Sequence, residues 1–200
     1  MIAIVDYGMG NLRSVTNAFA RLGGSIIVTR DKDRIAEASA IVVPGVGAFG
    51  KCMENLRGFD LLDVLREQIK SGKPYLGICL GLQMLFESSE EAPGIDGLGL
   101  VKGSVKRFKN DVKVPHMGWN QVEQLKSSQI FKGISQGEYF YFVHSFYPQP
   151  DEDVIASKTE YGSPFVSYIE RENIFACQFH PEKSQKVGLR LLQNFVNLCA

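Results

Sequence analysis

Short apolar runs punctuate the first part of the chain: Ile2–Val5, Ile26–Thr29, Ala40–Val43 and Pro74–Ile78. Runs of this length without polar alternation predict strands buried on both faces of a parallel sheet. Helical patterns stand between them. Asn11 is placed to cap a helix running to about Leu22, where Gly23-Gly24 ends it. Leu61, Leu62, Leu65 and Ile69 form an apolar stripe at helical spacing that Gly72 stops, and Leu80–Phe86 predicts another helix. This alternation predicts an α/β fold whose parallel sheet carries helices on both faces.

From about Val101 the texture changes. Shorter strand-like runs at Gln121–Gln124, Tyr139–Val143, Val154–Ser157, Phe165–Ile169 and Ile174–Gln178 predict an antiparallel extension of the sheet. A last helix is expected from about Lys186 to Leu198, with Val187, Leu191, Phe195 and Leu198 on one side. No repeat or linker divides the 200 residues, which predicts one domain over 1–200.

Composition excludes several classes of function. Lys plus Arg and Asp plus Glu balance at 22 each, leaving no basic footprint for a nucleic acid. No segment approaches the ~20 apolar residues of a membrane span, and the N-terminus lacks the form of a secretory signal. A soluble, cytoplasmic protein is the expectation. Cys52, Cys79, Cys177 and Cys199 lie far apart with no C-x-x-C pair, which argues against disulfides and structural zinc.

The sharpest chemical signal is Gly77-Ile78-Cys79-Leu80-Gly81, between a predicted strand and a predicted helix. It has the form of a nucleophile elbow with cysteine in place of serine. A tight strand-to-helix turn strains the nucleophile's backbone, and the glycines remove side chains that would collide. The sulfur sits at a helix N-terminus, which favours thiolate over thiol. The Leu80 N–H points toward any oxyanion formed there. Cys52, Cys177 and Cys199 lack this context and read as core cysteines.

A cysteine nucleophile needs a base, and the base needs a third group to hold its tautomer. Phe179-His180-Pro181-Glu182 follows a predicted strand and offers both, with a proline stiffening the link. His116 lies in what reads as an irregular stretch, Val114–Asn120, and His144 ends an aromatic strand. Neither has an acidic residue within three positions, so both read as structural or pocket-lining. Pro44-Gly45-Val46-Gly47-Ala48-Phe49-Gly50 lacks the pattern of a phosphate cradle. It reads either as an oxyanion loop supplying backbone N–H groups of Val46 and Gly47 or as an ordinary turn. Gly8-Met9-Gly10 is only a weak nucleotide signal.

Together Gly77–Gly81, Gln83 and His180-Pro181-Glu182 resemble the class I, triad-type glutamine amidotransferases. The resemblance narrows through Asp6–Leu12, Pro44–Gly50, Pro115–Asn120, Tyr141–Ser145 and Phe179–Ser184 to the HisH glutaminase subunits of imidazole glycerol phosphate synthase. It covers essentially the whole chain. It implies a flavodoxin-like, mostly parallel sheet, and a catalytic triad of Cys79, His180 and Glu182. Gly47, Gln83, Glu91, Ser145 and Phe146 match positions that hold glutamine; relatives often carry Tyr at the last of these. Asn11, Trp119, Tyr141 and Lys183 match positions near a partner interface. The implied partner is a HisF-type (β/α)8-barrel cyclase, to which ammonia from glutamine is channelled for histidine biosynthesis. No metal or organic cofactor is expected. The glutaminase of another amidotransferase, or a stand-alone cysteine hydrolase on the same fold, would share the cysteine and histidine motifs.

Overall fold

The computed structural model describes residues 1–109 and 112–199. The alternating half comprises β1 (Ile2–Val5), α1 (Leu12–Arg21), β2 (Ile26–Thr29), α2 (Lys32–Glu37), β3 (Ala40–Gly45), α3 (Phe49–Gly58), α4 (Leu62–Lys70), β4 (Tyr75–Cys79) and α5 (Leu80–Gln83). The second half contributes β5 (Ser88–Ser89), β6 (Gly103–Arg107), β7 (His116–Gln121), β8 (Glu123–Gln124) and β9 (Tyr139–His144). It continues with β10 (Phe146–Pro150), β11 (Ile155–Tyr161), β12 (Ser163–Arg171), β13 (Ile174–Cys177) and α6 (Gln185–Leu198).

The main sheet has the order β2-β1-β3-β4-β13-β12-β11-β8. Its first five strands pair in parallel, and β12, β11 and β8 extend it antiparallel. Both faces of the parallel part are apolar because both are covered. Ile2 and Ile4 join a core with Val15 and Phe19 of α1 and Leu191 and Phe195 of α6. Ala3 and Val5 face the opposite core, with Ile35 of α2, Met53 and Leu56 of α3, and Leu65 and Ile69 of α4. Strand order reverses beside β1, and ligands of open parallel sheets bind beyond the carboxyl ends of strands near such a reversal.

The apolar runs of the first half are strands as expected, except that β2, at the edge of the sheet, is only half-buried with Val28 exposed. Asn11 caps α1 by accepting the Ser14 N–H at 3.3 Å. Other elements differ from the sequence reading. Helix α2 was not anticipated; it is too short to show a period, and Asp31 caps it by accepting from Asp33 and Arg34. Helix α3 starts inside the glycine-rich segment, leaving only Val46–Ala48 as loop. After Gln83 the expected helix Leu80–Phe86 gives way to turns. The run Gln121–Gln124 is divided between the end of β7 and β8. The stretch around His116 is a strand, not irregular: β7 pairs antiparallel with β9, setting His116 opposite His144. Its period was masked by Gly118 and by an inverted face, with His116 turned inward and Met117 and Trp119 outward. β6 pairs with β10 and β5 in a small sheet of its own. Among the described residues no helix is long and apolar enough to cross a membrane.

Candidate active site

At the end of β4 the chain turns into α5 through Cys79, whose φ of 55° lies in the left-handed region that non-glycine residues avoid. The flanking glycines make this turn possible. A Cβ on Gly81 would lie 1.9 Å from the Val43 carbonyl oxygen, and one on Gly77 would lie 2.5 Å from that of Gly81. Tyr75, fully buried, donates its hydroxyl to the Gly81 carbonyl at 2.6 Å and pins the turn from beneath. Cys79 therefore stands at the N-terminus of α5, where backbone N–H groups have no helical partner.

The candidate base arrives from the neighbouring strand. β13 runs parallel to β4, and the chain leaving it carries His180 into a 3-10 turn at Pro181–Lys183. The His180 N–H donates to the Tyr141 carbonyl, and Ser184 Oγ donates to the His180 carbonyl, so the backbone is held on both sides. His180 Nδ1 and Glu182 Oε1 are 2.8 Å apart, with both side chains only 1% exposed. A carboxylate can only accept, so Nδ1 donates to Glu182 and Nε2 is the nitrogen through which the ring gains or loses a proton. That Nε2 is buried and has no hydrogen-bond partner. Burial alone would pull the His180 pKa down. The adjacent Cys79 sulfur and the hydrogen-bonded Glu182 carboxylate outweigh it and raise the pKa to about 10. The three residues have the arrangement that a nucleophile, base and orienter of the triad type would need.

Cys79 opens into a cavity of about 210 Å³. The residues expected to bind substrate or oxyanion all line it: Val46, Gly47, Leu80, Gln83, Glu91, Ser145 and Phe146. Gly47 has a φ of 112°, and a Cβ there would stand 2.6 Å from the Met9 side chain. Glu91 also accepts the Phe49 N–H at 2.8 Å, fixing the start of α3. His144 lines the cavity, and His116 backs it at 3.0 Å. Of the expected interface residues, Trp119, Tyr141 and Lys183 come together. The Trp119 and Tyr141 rings are 6.1 Å apart, and Lys183 Nζ lies 5.8 Å from the Tyr141 ring centre. Trp119, Met117 and Tyr139 are exposed, an unusual group of large apolar side chains to leave on one two-stranded sheet. Asn11 serves as the α1 cap.

Gln178 was missed by the sequence reading. It is fully buried and donates Nε2 to Cys79 Sγ at 3.4 Å. The available signal was its position two residues before His180 on the same strand exit.

A family model for class-I glutamine amidotransferases matches residues 3–198. The chain is 52% identical over 198 residues to the imidazole glycerol phosphate synthase subunit HisH of Methanothermobacter thermautotrophicus, covering 99% of this chain and 98% of the relative. It is 53% identical to the HisH subunit of Aquifex aeolicus, over 96% and 94% of the two chains. Among solved structures, a glutamine amidotransferase superposes with a TM-score of 0.78 at 20% identity, covering 100% and 99% of the chains. The structure of PurLQS from Thermotoga maritima gives 0.77 at 18% identity, over 100% and 98%. At that identity these two speak for the fold alone.

Proposed function

The chain belongs to the class-I glutamine amidotransferases, among the HisH glutaminase subunits of imidazole glycerol phosphate synthase, and we propose that Cys79, His180 and Glu182 carry out its glutamine hydrolysis. The observation that carries this reading is the buried His180, with Nδ1 committed to Glu182 and a free Nε2 beside a cysteine on a strained elbow.

Cys79 Sγ attacks the carboxamide carbon of glutamine with its thiol proton held on His180 Nε2. The carbonyl oxygen becomes an oxyanion, bound by the Leu80 N–H and a backbone N–H of Val46 or Gly47. One such donor contributes about 10²–10³ in rate. The imidazolium returns the proton to the leaving nitrogen, and ammonia departs as the tetrahedral carbon collapses to a thioester. A water then gives its proton to His180 and attacks the thioester, releasing glutamate and restoring the thiol. Gln83, Glu91, Ser145 and Phe146 hold the substrate, and Gly47 helps shape its reactive end. No step needs a metal or organic cofactor.

Ammonia freed into neutral water would become ammonium, which has no lone pair to attack with. The product therefore has to pass directly to an acceptor site. The exposed Trp119 and Met117, with Tyr141 and Lys183, support docking of a HisF-type (β/α)8-barrel cyclase on this face. The loop Val46–Ala48, with its left-handed Gly47, turns its N–H groups to the oxyanion only when the partner and its ligand are bound.

The test is Cys79→Ala in the complex with the cyclase. Glutamine-dependent synthesis should vanish while ammonia-dependent synthesis continues. Retained glutaminase activity would overturn the assignment. Glutamate release should also rise on adding ligand-loaded partner, and equal turnover by the isolated chain would refute the loop's role.

A further inference from the structure

Phe146 presents its carbonyl oxygen to two buried side chains. Gln83 Nε2 donates to it at 3.0 Å, and His144 Nδ1 lies 2.8 Å away. A carbonyl only accepts, and this one fact orients every group around it. On one side, Gln83 must turn its amide nitrogen to Phe146, and the same nitrogen donates its second hydrogen to Gln178 Oε1 at 3.0 Å. Gln178 must then turn its nitrogen to the Cys79 sulfur, 3.4 Å away. On the other side, His144 must carry its hydrogen on Nδ1, which leaves Nε2 to accept. His116 Nδ1 lies 3.0 Å from that Nε2 and donates to it. His116 Nε2 in turn accepts from Asn120 Nδ2 at 3.2 Å, and Asn120 also donates to the Glu160 carbonyl at 2.8 Å.

We infer that Gln178 and the His116–His144 pair are positioning residues of this reaction, joined through the Phe146 carbonyl in one relay from the Cys79 sulfur to Asn120 on β7. The inference rests on the glutaminase reading and deepens it. Gln178 acts on the nucleophile: its N–H fixes the sulfur's rotamer and favours negative charge there, and its carbonyl fixes Gln83 against the substrate. The histidine pair acts on substrate binding, by fixing the corner between β9 and β10 at which Ser145 and Phe146 meet glutamine. Both rings are buried within an aromatic cage that includes Phe108, Phe142 and Phe165, so a broken link leaves a buried polar atom poorly paired. Asn120 and the exposed Trp119 are adjacent on β7, so the relay ends on the strand that meets the partner.

The test measures glutamine kinetics of the cyclase complex and iodoacetamide alkylation of Cys79 for Gln178→Met, His116→Phe and the double variant. Losing one buried hydrogen bond is worth about tenfold. Gln178→Met should lower kcat and slow alkylation by about that factor, and His116→Phe should raise KM about tenfold with kcat unchanged. His116→Gln, which can donate and accept, should recover part of the KM loss. In a single relay the double variant departs from the product of the single effects by more than about twofold, the limit for independent sites. Nitrogen NMR at neutral pH should find both rings neutral with hydrogen on Nδ1. Multiplicative effects, unchanged alkylation in Gln178→Met, or hydrogen on Nε2 of either ring would overturn the relay. If these variants behave as wild type while Cys79→Ala is inactive, only this inference fails; if Cys79→Ala keeps its glutaminase activity, the underlying reading fails.

Discussion

Where β4 turns into α5, the nucleophile is held by what the backbone excludes, whereas where β9 turns into β10 the cavity wall is held by what buried side chains bond to. On the first side the strands are wholly apolar and Gly77 and Gly81 leave space that no other residue could leave. On the second, His116, His144 and Gln178 are buried polar groups whose partners lie on other elements. A steric device tolerates no added atom. A hydrogen-bonded device tolerates changes of size better than changes of donor and acceptor. The two kinds of support should therefore fail differently.

The largest effect is expected where the bonded side reaches the chemistry itself. Glu182→Gln keeps size but removes the charge that stabilises the His180 imidazolium, and it can present the wrong hydrogen-bonding group to Nδ1. A drop of about 10²–10⁴ in kcat is expected, following the behaviour of triads that lose their orienting carboxylate. Tm should hardly move, because the substitution also removes a buried charge. A loss of fold in this variant would show that Glu182 is structural.

Gly81→Ala tests the steric side. The added methyl meets the Val43 carbonyl at 1.9 Å, a backbone atom that cannot step aside without moving β3. Overpacking of this kind costs about 1–3 kcal/mol or more, so Tm should fall by several degrees and activity with it. A variant folded as well as the wild type would mean that the elbow has more room than its geometry allows.

How far each side could be read from the sequence follows from the same contrast. The elbow was legible because its requirement is local: strand, glycine, cysteine and glycine stand within five residues. His180 and Glu182 were legible for the same reason. Gln178 was not, since its partners Gln83 and Cys79 are 95 and 99 residues away and meet it only when β13 pairs with β4. His116 was read as loop because Gly118 and the exposed Met117 and Trp119 conceal the strand, and its bond to His144 spans 28 residues. The parallel sheet was visible in its apolar runs. The small sheet of β5, β6 and β10 was not, because its half-buried strands carry little apolar alternation.

Tyr75→Phe separates the steric device from its one polar support. The hydroxyl that bonds the Gly81 carbonyl is lost, and that carbonyl is left buried without this donor. An unpaired buried acceptor costs about 1–3 kcal/mol, so calorimetry should show a Tm lower by several degrees with kcat nearly unchanged. A large fall in kcat would instead mean that the elbow depends on bonding as much as on exclusion.

The smallest effect is a pH dependence that only the bonded side should show. Burial pulls the His116 pKa down to about 4. Burial also pulls His144 down, to about 3, against the Phe146 hydrogen bond and with the charges of His116 and His180 adding to the fall. A lowered histidine means that the unfolded chain binds protons more readily. The stability these rings give is then complete above about pH 6.5 and is lost progressively as the pH falls toward their folded values. His180 has the opposite sign. Its raised value makes its contribution complete below about pH 6.5 and lost only as the pH climbs through about 10, so the acid limb is free of it. The carboxylates with lowered values, Asp6 and Glu90, begin to matter only below their ordinary range near 4. Between pH 6.5 and 5 the histidine pair therefore dominates, and one buried ring costs about 1 kcal/mol by pH 5.5, or a few degrees in Tm. A His116→Gln, His144→Gln double variant should start from a lower Tm at pH 7 yet lose less of it on acidification. Parallel slopes for the two proteins would mean that the rings already exchange protons with solvent in the folded state, and that the cavity wall is not held by a dry pair.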